Sequence, residues 1–240
     1  MPPNHCGFHM GLYLVGPMSR FPFDIVLFDL DGTLVDSARD LCPAVNHALA
    51  EIGREPVSES TSRGLIGGGT DMMLTRALEA TGGMIEEAEY RQLTRALLDF
   101  YWDNIAVNTV PFADCLNALD ALQAEGCKLA VCTNKSEKPA RELLEALGMT
   151  AYFAAIYGGD TLGRDKAKPL PDMLHAAVKD LGGGSAVLIG DTTYDVRAAN
   201  AAGLPVVACS FGYCDEPAEE LGADIVIASF DELVPALRNL

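Results

Sequence analysis

This sequence predicts an α/β fold, a doubly wound parallel sheet with an inserted all-helical module, and three observations carry the prediction. Short apolar runs recur along the chain with room for a helix between each pair. The runs stop at acidic, glycine or small polar residues. One interval, between the first run and the second, is far longer than a single crossover needs and holds helical patterns only.

The first run, Ile25-Val26-Leu27-Phe28, is closed by Asp29 and Gly32, the pattern of a strand buried on both faces. Leu129 to Cys132, Ala186 to Ile189 and Leu204 to Ala208 read the same way, with Phe153 to Tyr157 and Ile225 to Ile227 as weaker strands. Between them Leu116, Leu119 and Leu122 are spaced by three, and Leu143, Leu144 and Leu147 by three or four. These helices stop at Gly126 and Gly148, and Gly182-Gly183-Gly184 ends another ahead of the Ala186 strand. The α/β core therefore comprises residues 21–35 and 112–240. Residues 36–111 form the insert, with helices over Ala38 to Ile52, Asp71 to Ala80 and Glu86 to Trp102 and no strand. Leaving the chain just past the first strand's tip, it covers the carboxyl ends of the strands, where such sheets bind ligands. Residues 1–20 show no period and read as an N-terminal tail, with a start at Met18 as the alternative.

Composition narrows the function. Thirty-four acidic against 17 basic residues give a formal charge of −17, which repels a polyanion at long range and argues against nucleic acid as the main ligand. No run approaches the about 18 apolar residues of a membrane span, and the N-terminus lacks a signal-peptide pattern, so a cytoplasmic protein is expected. The seven cysteines are odd in number and none form C-x-x-C, so they are read as reduced thiols, with Cys132 a small buried hydrophobe. Composition does not choose between a monomer and an oligomer.

The chemistry gathers at strand ends. Asp29 and Asp31, two residues apart and followed by Gly32, can serve as nucleophile and acid/base for one substrate. A calcium loop is excluded, because Thr33 and Leu34 stand where an EF-hand needs Asp or Asn and then Gly. After the next buried strand, Thr133 and Asn134 offer a hydroxyl and an amide for phosphate oxygens, although Thr-Asn also caps helices. Asp191 and Asp195 add two more carboxylates, and four of these without a cation would repel one another strongly. A hard divalent ion, Mg²⁺, resolves the conflict, with Lys168 as the fixed compensating charge. Gly67-Gly68-Gly69 is not a nucleotide P-loop, because Thr70 stands where that motif needs Lys; a plain turn is the competing reading.

In this order and spacing the four segments resemble the haloacid dehalogenase superfamily, from about Phe23 to the end of the chain. The resemblance implies a Rossmann-like core under a helical cap and an Mg²⁺-dependent phosphohydrolase. Asp29 would attack phosphorus, and Asp31 would protonate the leaving oxygen and later activate water. Thr133 and Asn134 would hold the phosphoryl group, and Lys168 would neutralise nucleophile and phosphate. Asp29, the backbone carbonyl of Asp31 and Asp191 would bind the metal, with Asp195 further out. An all-helical cap implies a small phosphorylated metabolite as substrate. Asp29 to Ser37, Arg63 to Gly69, Arg76-Ala77-Leu78 and Tyr157 to Asp160 are most similar to the branch that hydrolyses 2-phosphoglycolate, with Arg63 and the N–H groups of Gly67 to Gly69 to receive its carboxylate. Two positions depart from that branch: Ala113-Asp114 replaces Pro-Gly, and Leu170 replaces His. A pyrophosphatase, another small-ester phosphatase, a phosphosugar mutase or a non-catalytic relative stay open.

Overall fold

The computed structural model describes residues 20–240, so the expected tail lies outside the described residues except for Arg20. The chain opens with β1 (Ile25–Phe28) and β2 (Val35–Asp36). Four helices follow: α1 (Ala38–Glu51), α2 (Glu59–Arg63), α3 (Thr70–Thr81) and α4 (Glu87–Asp103). Then come β3 (Val110–Pro111), α5 (Cys115–Ala124), β4 (Lys128–Cys132), α6 (Glu137–Ala146), β5 (Ala155–Tyr157) and α7 (Asp172–Asp180). The last elements are β6 (Ala186–Gly190), α8 (Thr193–Ala202), β7 (Val206–Cys209), β8 (Ile225–Ile227) and α9 (Leu233–Arg238).

Six strands make one parallel sheet in the order β5-β4-β1-β6-β7-β8. The strand order reverses at the β1–β6 pair, which places the crevice for a ligand there. Alternation along the strands divides the core in two. Val26, Phe28, Leu129 and Val131 pack on α5, α6 and α9, while Ile25, Leu27, Ala130 and Cys132 pack on α7 and α8. Cys132 is indeed a buried free thiol. Among the described residues no helix is long and apolar enough to cross a membrane.

The element boundaries differ from expectation for local reasons. The strand read from Leu204 starts at Val206, because the Leu204 N–H closes α8 on the Ala199 carbonyl (2.9 Å) and Pro205 has no N–H to give. The strand read from Phe153 starts at Ala155, after a tight turn over Thr150–Tyr152. Leu116 points outward on α5, whose inner face is Cys115, Ala118, Leu119 and Leu122. Asp114, just before α5, takes a left-handed conformation (φ 58°), which glycine would adopt without strain.

The insert, read as strand-free, begins and ends with a short strand. β2 and β3 pair antiparallel, Val35 with Pro111 and Asp36 with Val110, a ladder too brief for any sequence period. α2, only five residues long, escaped the same reading. The four helices bury a core of their own that includes Leu49, Leu74, Leu78, Leu93 and Leu97. The buried Asp40 on α1 ties the insert's two ends together. Its carboxylate accepts hydrogen bonds from the N–H groups of Asn108 and Thr109, the Asn108 amide and the Thr109 hydroxyl at 2.7–3.0 Å. Asp40→Asn replaces one acceptor oxygen with a donor facing other donors, so we expect urea denaturation to show a loss of about 1–3 kcal/mol.

Candidate active site

Parallel registry brings three strand tips level. Phe28 lies opposite Val131 on one side and Ile189 on the other, and the Asp29 N–H still reaches the Ile189 carbonyl (2.9 Å). Asp29 therefore leaves β1 beside Thr133, which follows β4, and Asp191, which follows β6. Lys168 arrives from the segment after β5, its Nζ 2.6 Å from Asp195 Oδ1 and 3.0 Å from Asp29 Oδ1. The ion pair to Asp195 is also an aligned hydrogen bond, whereas Asp29 Oδ1 has no aligned donor and is reached by charge alone.

The backbone makes room for these carboxylates. Gly32 has φ 90°, and a Cβ there would lie 2.2 Å from Asp191 Oδ2. Gly212 meets Asp191 from the other side, where a Cβ would lie 2.4 Å from the aspartate's own Cβ. Asp191 accepts from the Thr33 hydroxyl (2.8 Å) and the Tyr213 N–H (2.7 Å). Asp195 reaches back to the start of its helix, where its Oδ2 accepts from the Thr192 hydroxyl (2.7 Å) and N–H (3.1 Å).

Asp29, Asp191 and Asp195 each bring one carboxylate oxygen to within 4.8 Å of the others, all three buried. One ammonium cannot offset three such charges. Burial raises the Asp29 carboxyl to about 6, with Lys168 pulling it down and Asp195 pushing it up. Burial, then Asp195 and Asp29, hold Asp191 well above the usual carboxylate range. A hard divalent cation fits this all-oxygen set and would relieve its repulsion. Asp195 is already paired with the Lys168 ammonium, whereas Asp29 keeps an oxygen without an aligned donor and Asp191 accepts only from neutral donors, so these two are the better donors toward a cation.

Asp31 stands apart from the cluster. Its carboxylate accepts from the Ser37 hydroxyl (2.6 Å) and pairs with Lys135, 3.0 and 3.3 Å from its two oxygens. Asp29, Asp31, Thr133, Asn134, Gly67 and Gly69 border one small cleft between core and insert, with about 30 Å³ of free space. Thr133 caps no helix, since α6 starts only after Ser136. Gly67 to Gly69 lie close against the core: a Cβ on Gly69 would come within 3.0 Å of the Asn134 carbonyl, and one on Gly67 within 3.1 Å of Thr192. Gly68, Leu170 and Lys168 border a second opening beside the cleft.

Arg63 is elsewhere. Its guanidinium binds Asp36 (2.7 Å), touches Glu59 (3.4 Å) and lies over the Tyr213 ring, so it is not among the residues that border the cleft. The Tyr213 hydroxyl, in turn, accepts from the N–H groups of Ser37 (2.7 Å) and Ala38 (2.9 Å) and meets Asp36 (3.0 Å). A core tyrosine thus caps the insert's first helix.

Lys135 and Tyr213 are the residues that sequence reasoning passed over. Lys135 directly follows Thr133-Asn134, a cation at a strand tip and so a readable signal. Tyr213 is distant in sequence from Asp36 and offered none.

The site's charge balance is testable in the metal-free protein. Asp29 and Asp191 hold their protons more tightly folded than unfolded, so stability is lost as pH climbs out of the ordinary carboxylate range, up to about 6 for Asp29. Lys168→Met removes the charge that opposes this. We expect a loss of about 3–5 kcal/mol at pH 8 and a smaller loss at pH 5, where the carboxyls can take up protons, measured by urea denaturation at both pH values.

The chain as a whole is similar to known proteins. The family model of the haloacid dehalogenase-like hydrolases matches residues 26–209. A phosphoglycolate phosphatase of Mesorhizobium japonicum is 40% identical over 217 residues, covering 90% of this chain and 95% of that protein. One from Rhodospirillum rubrum is 41% identical over 215 residues, 87% of this chain and 88% of its own. Among solved structures, a predicted phosphoglycolate phosphatase from Haemophilus somnus superposes with a TM-score of 0.84 at 29% identity, covering 90% of this chain and 98% of that one. With three strand tips, a buried aspartate cluster and these similarities in agreement, the chain belongs to the haloacid dehalogenase-like hydrolases, and among them to the phosphatases.

Proposed function

We propose that the protein hydrolyses a small phosphate monoester, 2-phosphoglycolate, to glycolate and phosphate through an aspartyl-phosphate, with Mg²⁺ as cofactor. The observation that carries this reading is a buried carboxylate, Asp29, beside Lys168 at the tip of β1, with Asp31 two residues on at the same cleft. The narrow cleft favours a small ester, and the names of the relatives favour this one.

An Asp29 carboxylate oxygen attacks phosphorus as the bond to the ester oxygen breaks, and Asp31 gives that oxygen its proton. Asp31 then takes a proton from water, whose oxygen attacks phosphorus and releases phosphate from Asp29. Thr133 and Asn134 hold the phosphoryl oxygens, and Lys168 keeps Asp29 ionised and offsets charge on the phosphoryl group. Asp29, Asp191 and the Asp31 carbonyl would hold Mg²⁺, which adds positive charge where the transferring group needs it. Asp195 fixes Lys168.

Two outcomes are expected. Purified protein releases phosphate from 2-phosphoglycolate in preference to pyrophosphate, hexose phosphates and an aryl phosphate, only with Mg²⁺. Asp29→Asn abolishes the release and Asp31→Asn lowers it by about 10²–10⁴-fold. Preference for another ester would discard the substrate, and release that survives Asp29→Asn would discard the mechanism. Second, protons compete with the cation for carboxyls held high by burial, so the rise in Tm that Mg²⁺ produces at pH 8 shrinks toward zero at pH 5. A pH-independent rise would place the ion elsewhere.

A further inference from the structure

We propose that Lys135 receives the carboxylate of the substrate, and so sets the preference for an anionic phosphate ester over a neutral one. This deepens the phosphoglycolate reading and rests on it.

A substrate with a carboxylate one methylene from its ester oxygen calls for a cation opposite that group. Arg63, the candidate from sequence, is held by Asp36 and Glu59 and does not border the cleft. Lys168 is spent on Asp29 and Asp195. Lys135 is the one cation among the residues that border the cleft, and it is 8% exposed.

Its position matches the shape of the substrate. Asp31 must touch the ester oxygen to protonate it, and Lys135 Nζ stands 3.0 and 3.3 Å from the two oxygens of Asp31. A group one methylene beyond the ester oxygen therefore falls within reach of the same ammonium. An ammonium has three donors and can serve both carboxylates at once. The Tyr101 ring, 4.4 Å from Nζ, covers it from the insert side and limits where it can swing. Thr70, at the start of α3, borders the same space.

Buried lysines also serve structure alone, and here the alternative is that Lys135 merely positions Asp31. The two roles separate by substrate. The test compares 2-phosphoglycolate with 2-hydroxyethyl phosphate, similar in size and lacking the carboxylate, in the wild type and in Lys135→Met, with Mg²⁺ present. We expect kcat/KM for 2-phosphoglycolate to fall about 100-fold more than for the neutral ester, chiefly through KM. Equal falls on both esters, carried by kcat, would overturn the proposal and leave Lys135 as a positioning residue for Asp31. Lys135→Gln, which keeps a donor toward Asp31 but no charge, gives the same readout if the methionine variant does not fold. If the wild type itself prefers some other phosphate ester, the substrate reading fails separately. In that case the comparison is repeated with that ester and its uncharged analogue: a selective loss sustains Lys135 as the anion receptor, and no selective loss overturns it.

Discussion

Three buried carboxylates share one ammonium at the edge of the sheet, and much of the molecule is arranged to tolerate that. Strand registry brings Asp29 and Asp191 together, and Lys168 is held between Asp29 and Asp195. Gly32, Gly190 and Gly212 lack side chains where a Cβ would strike Asp191 or Asp195. Donors from Thr33, Thr192 and the Tyr213 N–H take up carboxylate oxygens that would otherwise be stranded. Burial raises the proton affinity of Asp29 and Asp191, the cost of placing these carboxyls out of water.

The joint between core and insert follows a similar economy. Tyr213 caps α1 from the core, Arg63 braces Tyr213 and Asp36, and Asp40 gathers the strand that returns. Arg63, whose charge looked available for a ligand, is a structural brace at this joint. Further out, Trp102 on the insert bonds Glu142 of the core, and Arg164 of the core pairs with Asp71. Closest to the cleft, glycine backbone of the insert lies directly against Asn134 and Thr192 of the core.

Much of this was legible in the sequence, and the physical reason differs by element. β1 and β6 are continuous apolar runs, which strands buried on both faces demand, so their positions could be read almost to the residue. Asp29, Asp31, Thr133, Lys168 and Asp191 could be picked out as candidates that the fold brings together, because each stands just beyond a strand or in a short stretch with its own signature. The two-residue strands and α2 could not, since nothing so short carries a period. Arg63 was legible as a charge but not as a partner, because Asp36 and Tyr213 reach it only through the fold. Lys135 was in view beside Thr133 and lacked only the knowledge that Asp31 would face it.

The β2–β3 ladder has an evolutionary consequence. It brings the two ends of the four-helix insert side by side at a single point on the core. A segment whose ends meet in this way can be lengthened, shortened or exchanged for another without altering the path of any sheet strand. Asp29, Asp31, Thr133, Asn134 and Lys135 reach the cleft from the core loops, whereas Ile66, Gly67, Gly69, Thr70 and Met73 form the wall that the insert contributes. Inheritance can therefore keep the core's charged cluster while the wall that faces it drifts.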